Sequence, residues 1–337
     1  IFLIQDPAFF YKRETKLKFH KQKILLHMLS MNEYENELIN KGYRVLNITF
    51  EHFHNNNNYE SIIKNNEITN LHLCDVVDTF LFNNINNDCK KLGVKIQWYD
   101  SPSFLLNQTD IYNEFGNKKF HFMSNFYKKQ RRRFNILMDK KNPIGGKWSY
   151  DTENRKKLPR GINIPNITTT KYDKIILDKY KIIISKYFNE NPGSLSSFNF
   201  PINGSQAQSA FNDFLINRLK NFGDYEDAIS SDETYLFHSI LSPYLNIGLI
   251  TPKDVIEQTL EFAKEHDIPL NSLEGFIRQI IGWREFIRGI YCEDGLKQRN
   301  TNYWSFNKTL PSSFYNAQTA IEPIDNTINR VINHAYC

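Results

Sequence analysis

Two stretches in the second half of the chain set polar side chains where an ordinary core helix would carry apolar ones. In GFIRQIIGWREFIRGIY, residues 275–291, Arg278, Gln279, Trp283, Arg284, Glu285 and Arg288 interrupt an apolar sequence. An indole beside amide and guanidinium donors is a flat stacking surface of the kind that holds a heteroaromatic ring or a base. The same spacing, with Arg284 and Arg288 four apart and Glu285 three before Arg288, fits a surface ion-pair ladder equally well. In HSILSPYLNIGLI, residues 238–250, Ser239 and Ser242 lie three apart beside Pro243. Hydroxyls and free amides at a helix start suit a phosphate or pyrophosphate, and serines there also cap or back-bond to the helix.

A third segment is irregular. GGKWSYDTENRKKLP, residues 145–159, has two glycines, a tryptophan among polar residues and a burst of charge closed by proline. Asp151, Glu153, Asn154 and Arg155 can hydrogen-bond locally and Trp148 can bury a large surface, so the segment reads as a connection with a turn and an ion pair. Just before it, KKQRRRF at 128–134 could grip a nucleic-acid backbone or form a solvated helix face. The second is expected, because the same helix must pack Phe126, Phe134, Ile136 and Leu137.

The elements that must position these groups follow from pattern. IFLI at 1–4 is a short apolar run of the buried parallel type, and residues 17–41 place Ile24, Leu25, Met28, Leu29, Met31 and Leu38 at helical spacing before Gly42. YRVLNITF at 43–50 reads as the next strand. VVDTFLFNNINNDCKKL then reads as a helix stopped by Gly93, and VKIQWYD as a further strand. Strand, helix, strand with short connections predicts a right-handed βαβ layer. Asn55–Asn58 is a low-complexity loop. Beyond Gln206 the spacing predicts helices through AFNDFLINRL, ETYLFHSILSPYLNIGLI, PKDVIEQTLEFAKEH and LEGFIRQIIGWREFIRGIY. The expected division is an α/β domain over 1–125, a linker over 126–204 and a helical domain over 205–337.

The bulk properties are permissive. The 337 residues suggest two domains, 40% hydrophobic and 14% aromatic content suffices for a sizeable interior, and net charge is only +5. Cys74, Cys89, Cys292 and Cys337 show no paired spacing, so neither a disulfide framework nor a zinc site is indicated, and a reducing, cytoplasmic setting fits. No run is long and apolar enough for a membrane span, and the chain is expected to be a monomer. It opens on a strand and stops in a helical pattern, as a fragment truncated at both ends would.

HSILSPYLNIGLI followed by FIRQIIGWREFIRG resembles the flavin-binding core of the photolyase and cryptochrome superfamily. Gln279 with the inserted Gly282, PIGGKWSYDTENRKKLP, HKQKILLHMLSM and the Phe-Tyr plus basic run at 126–133 resemble its bacterial (6-4) photolyase and cryptochrome branch. The resemblance runs from end to end. It implies a Rossmann-like α/β domain followed by an all-α FAD-binding domain, C-terminally incomplete here, and light-driven repair of pyrimidine photoproducts in UV-damaged DNA. The alternative it leaves is a cryptochrome-like blue-light photoreceptor without repair.

Carried over by position, the resemblance puts Tyr225, His238, Ser239, Leu241, Ser242 and Arg284 at FAD. It gives Gln279 and Trp283 a catalytic place between flavin and lesion, and Arg284 and Arg288 contacts to DNA. Gln5, Asp6 and Phe10 are where it would place a 6,7-dimethyl-8-ribityllumazine antenna. The branch also implies a [4Fe-4S] cluster, but IEPIDNTINRVINHAYC has no cysteine between Ala317 and Tyr336, which points to a member lacking the cluster. Asn316 also follows Phe314 and Tyr315 where some members have tryptophan, so their electron route would be altered. A histidine pair expected after Tyr336 lies outside these residues, and the chain alone is not expected to hold flavin tightly.

Overall fold

The computed structural model describes residues 1–10, 17–54, 58–116 and 118–336. Asn55–Asn57 of the asparagine loop and Cys337 lie outside them. Contacts group the chain into two compact units that interleave along the sequence. The first takes Ile1–Ser101, Thr169–Gln206 and Asn316–Cys337, and the second takes Pro102–Thr168 and Ala207–Tyr315.

The chain begins the first unit with β1 (Phe2–Ile4), α1 (Lys21–Asn40) and β2 (Leu46–Ile48), and β1 pairs with β2 in parallel, Phe2 opposite Leu46. Short helices α2 (Phe50–His54) and α3 (Tyr59–Asn65) lead to β3 (Asn70–Cys74), α4 (Thr79–Leu92) and β4 (Lys95–Tyr99). β3 and β4 are again parallel, from Asn70 opposite Lys95 to Cys74 opposite Tyr99. Two strand–helix–strand crossovers are therefore present, the first as expected and the second starting from β3, a strand that the sequence pattern did not announce. The strand anticipated over 43–50 narrows to three residues, because Tyr43 and Arg44 are exposed and Phe50 already starts α2.

Helix ends follow from capping groups. The Asp78 carboxylate accepts from the Leu81 N–H at the start of α4, and Gly93 ends it at φ +69°, a geometry costly for any residue with a Cβ. α1 buries Ile24, Leu25, Met28 and Leu29, while Met31 stays half-buried. Its N-cap is unusual. His20 Nδ1 accepts from the Gln22 N–H at 3.1 Å, which leaves Nε2–H to donate to the Ile332 carbonyl at 2.8 Å. Gln22, fully buried, donates from Nε2 to the Ser194 and Asn333 carbonyls and to Ser197 Oγ.

The second unit opens with α5 (Gln108–Phe115), α6 (Met123–Arg133) and a two-residue hairpin ladder, β5 (Met138–Asp139) with β6 (Asn142–Pro143). The chain returns to the first unit in α7 (Lys174–Tyr187), which packs along α1. It leaves again along α8 (Gly204–Asn217), α9 (Leu219–Phe222), α10 (Ser242–Asn246), α11 (Pro252–Glu265) and α12 (Leu270–Ile277). A π-helix, Arg278–Arg284, joins α12 to α13 (Glu285–Asn300), and α14 (Ser313–Asn316) precedes α15 (Glu322–His334). One expected helix is corrected. In ETYLFHSILSPYLNIGLI only Ser242–Asn246 is helical, because Leu236 and Ile240 take positive φ and break the helical path. Among the described residues no helix is long and apolar enough to cross a membrane.

Candidate functional site

The irregular segment at 145–159 forms one side of a buried polar network in the second unit. Glu274 on α12 is fully buried, accepting from Tyr127 Oη at 2.7 Å and from the Tyr150 N–H at 2.9 Å. Arg278, one turn later and 4% exposed, sets its guanidinium among three carboxylates: Asp151 at 3.1 Å, Glu274 at 3.3 Å and Glu226 at 3.6 Å. Asn154, also buried, donates to Glu226 at 3.0 Å and to the Asn271 carbonyl at 3.3 Å. Gln279 Nε2 donates to the other Glu226 oxygen.

One cation thus faces three anions, and burial pushes the Glu226 carboxyl above its ordinary range against the pull of Arg278. The segment is more than a local turn. Arg155 with Asp151 and Lys147 with Glu153 do pair locally as anticipated, but Asp151 and Asn154 reach α12 and the π-helix. Tyr150 is the buried aromatic, whereas Trp148 is half-buried under Arg132, whose guanidinium lies 4.5 Å from the indole centroid.

The basic run of α6 is corrected at one position. Arg131 is 1% exposed and donates to the Ile136, Trp148 and Leu137 carbonyls, so it neither grips a duplex nor belongs to a solvated face. Lys129 and Arg133 are exposed and pair with Glu114 and Asp110.

Arg284 and Arg288 form a second framework. Arg284 donates to the Ser103 carbonyl at 2.6 Å, and Glu285, fully buried, accepts from the Leu105 and Leu106 N–H groups at 3.1 and 3.2 Å. Arg288, 4% exposed, donates to the Leu106 carbonyl, and both guanidiniums lie over the Phe104 ring, at 4.3 and 4.1 Å from its centroid. These three charges hold the backbone of residues 103–106. The Arg288 guanidinium is thus enclosed, and that of Arg284 donates to the Ser103 and Leu245 carbonyls. The ion-pair ladder is not a surface one, since its partners are the amides and carbonyls of a distant loop.

Between these two frameworks runs the π-helix. A Cβ at Gly282 would lie 3.2 Å from the Tyr127 ring and 3.6 Å from Met123 Sδ, so the glycine permits α6 to approach closely. Widened turns of this kind recur at functional sites because they re-aim side chains without ending the helix. Here Gln279 is half-buried against Glu226, and Trp283 is 41% exposed with its ring edge-on to Phe286.

The segment from Tyr225 to Ser242 differs in character. Leu236 and Ile240 are buried at φ +43° and +59°, and a β-branched residue there is a true outlier that surrounding packing must enforce. The Phe237 ring lies 5.3 Å from that of Tyr225, and His238 meets Phe222 edge-on at 6.1 Å. Burial holds the His238 imidazole below its usual range. Leu241 is buried, Ser239 Oγ accepts only a long bond from the Leu241 N–H, and Ser242 is exposed at the start of α10. The structure brings this segment to Gln279 through Glu226, the residue after Tyr225. Hydroxyls open to solvent, a neutral imidazole and half-buried rings are a donor set that fits a phosphate and a flat heterocycle.

In the first unit, Gln5, Asp6 and Phe10 do come together at the end of β1, all buried. Gln5 Oε1 accepts from the Phe50 N–H, Asp6 accepts from the Ala8 N–H and Tyr59 Oη, and Phe10 packs on Phe50. These atoms are engaged internally. A recess of about 310 Å³ nearby is lined instead by residues such as Asn47, Thr49, His52 and Asn66. Among the described residues no group of three or more His, Cys, Asp or Glu could hold a metal ion, and Cys292 packs against the apolar cluster around Phe286.

Sequence reasoning missed Glu226, Glu274, Tyr127 and the loop 103–106 as partners of the motif residues. The signal available was weak: Glu274 sits one turn before Arg278, but Glu226, Tyr127 and the loop 103–106 meet their partners from far away in the chain.

Residues 1–200 match the family described as deoxyribodipyrimidine photo-lyase-related protein. The chain is 30% identical over 321 residues to a (6-4) photolyase of Agrobacterium fabrum, which covers 94% of this chain and 63% of that protein. It therefore spans less than two thirds of that relative's length. Among solved structures it resembles a cryptochrome of Synechocystis, TM-score 0.60 at 14% identity, over 98% of this chain and 64% of the other. A class III photolyase of Agrobacterium tumefaciens matches with TM-score 0.55 at 16% identity, over 94% and 60%. An α/β part with parallel pairing, a helical part closed around the π-helix and a family match over more than half its residues place this chain in the deoxyribodipyrimidine photo-lyase-related family, within the bacterial branch of the photolyase and cryptochrome superfamily.

Proposed function

We propose that the protein is a FAD-dependent DNA photolyase that repairs UV-induced pyrimidine photoproducts of the (6-4) type. The observation that carries this reading is the π-helix, which presents the Gln279 amide and the exposed Trp283 ring beside the strained Tyr225–Ser242 segment. The likeness to a (6-4) photolyase supports the lesion type.

Tyr225, His238, Ser239, Leu241 and Ser242 would hold FAD, the serines through its phosphates and the rings and Leu241 through its flat and apolar parts. Bound FAD supplies light-driven one-electron transfer to the lesion. The work of the chain is positioning. Gln279 is oriented by Glu226, so its free carbonyl oxygen can accept from a lesion base, and the Trp283 ring gives an extrahelical base a surface to stack on. Arg278, Asp151 and Glu274 keep that helix in place, while Arg284 and Arg288 act at one remove by fixing the loop beside it.

The test is direct. Protein loaded with FAD, chemically reduced and illuminated with an oligonucleotide carrying one (6-4) photoproduct should restore both pyrimidines, read by chromatography of the digested strand. Protein that binds flavin and damaged DNA yet restores none would overturn the repair reading in favour of a light-sensing role.

A further inference from the structure

Residues 118–122 read KKFHF, two lysines followed by two phenylalanines that flank a histidine. The loop lies between α5 and α6 and lines a recess of about 220 Å³. Phe115, Phe126 and Phe286 line it from within, 2%, 5% and 8% exposed, with ring centroids 5.2 to 5.7 Å apart. The Phe115 ring is fixed by close approach to α13, since a Cβ at Gly289 would fall 2.1 Å from it. At the rim, Phe120 and Phe122 are 68% and 64% exposed, and the His121 ring between them is held by Asp294 at 3.1 Å.

The charges around this aromatic recess are mostly positive. Lys118 and Lys129 line it and Lys119 sits over the Phe120 ring, against Asp294 behind His121 and Glu114, whose carboxylate pairs with Lys129 at 3.0 Å and whose carbonyl accepts from exposed Lys118. A recess this small falls below the range of pockets that enclose whole cofactors, which leaves a single planar ring as its occupant. Cations on either side of stacked rings are the arrangement that tracks a phosphate backbone while bases stack on aromatic faces.

We propose that the KKFHF loop and this recess hold an unpaired nucleobase of a DNA strand, with Lys118, Lys119 and Lys129 beside the flanking phosphates. Trp283 meets Phe286 edge-on, so the recess shares a wall with the exposed indole of the π-helix. This strand site goes beyond the flavin and lesion reading and does not require it.

Binding is measured in the dark, on the whole chain, with an undamaged fluorescein-labelled oligothymidylate of roughly 12 nucleotides. Phe120→Ala with Phe122→Ala should weaken binding about tenfold and leave the salt dependence unchanged. Lys119→Gln with Lys129→Gln should instead reduce the slope of log affinity against log salt by about one to two. Phe122→Trp, which keeps a ring at the rim, should show quenched indole emission when the strand saturates it. Unchanged affinity in the double phenylalanine variant, or thymidine monophosphate competing as well as the strand at equal nucleotide concentration, would overturn the proposal. Because neither flavin, light nor a lesion is involved, either failure leaves the photolyase reading untouched.

Discussion

Two regions of the second unit handle polar groups in opposite ways. Around Arg278, and again around Arg284 and Arg288, charged side chains are buried and turned onto one another or onto backbone. Between Tyr235 and Ser242 the groups are neutral, partly open, and carried on backbone that departs from regular geometry. The conspicuous charges of the WREFIRG stretch build the frame, and the quieter segment beside it is where the proposed flavin site lies. Buried ions need dedicated partners, and a group so partnered is poorly placed to serve a ligand as well.

The sharpest break in the frame is Arg278→Ala. It leaves Glu274, Glu226 and Asp151 facing one another without their shared cation, and unfolding free energy in urea should drop by about 3–5 kcal/mol. A loss below about 1 kcal/mol would mean the network is not what holds the π-helix.

Ser239→Leu with Ser242→Leu should do the reverse. Flavin affinity should fall at least tenfold, about 1.4 kcal/mol, while far-ultraviolet circular dichroism and the urea midpoint stay near those of the parent. Retention of a full flavin complement would remove the serines from the cofactor site.

Arg284→Gln separates the two regions more finely. Loss of the Ser103 carbonyl bond and of stacking on Phe104 should cost about 1–2 kcal/mol of stability with flavin content preserved. Flavin loss at unchanged stability would restore the cofactor role that the motif implies.

The smallest effect is in pH. Burial holds His238 below the ordinary imidazole range, with Asp227 pulling the other way, so the fold favours neutral imidazole. That contribution is present above about pH 6.5 and is lost as pH falls toward the depressed value. Burial raises Glu226 above the ordinary carboxyl range, so its contribution is present below that range and is lost as pH rises through the raised value. Acidification from about pH 7.5 to about pH 5.5 should therefore loosen the His238 segment while relieving strain at Glu226. Hydrogen exchange corrected for intrinsic rates should show opposite changes in amides 236–241 and 274–279. A uniform change across both would deny the contrast.

Much of the fold was legible because its signals are local. IFLI, the apolar spacing of α1, Gly42 and Gly93 each report on a few neighbouring residues. β3 escaped because NLHLC alternates half-buried and exposed positions among polar neighbours and lacks the continuous apolar run of a fully covered strand. At the site, the spacing of Gln279 and Trp283 placed both on one helix, but nothing in it disclosed the π turn. Arg284 and Arg288 could be assigned to one face and no further. Their partners in residues 103–106 lie about 180 positions away, and the atoms they bind are peptide groups that every residue carries. Arg131 is the same case at shorter range.

The cap on α1 bears on how the first unit comes together in time. His20 and Gln22 reach carbonyls 312 and 311 positions later in the chain, at the end of α15. On a ribosome that adds residues in order, α1 and its strands emerge long before Ile332 and Asn333 exist. The N-terminal crossovers can form early and Gln22 can meet Ser194 and Ser197, but the His20 Nε2–H has no carbonyl of Ile332 to donate to until the chain has been made through α15. Closure of so long a loop is a late event, and until it occurs the nascent α/β unit is an incomplete body exposed to the folding machinery of its host.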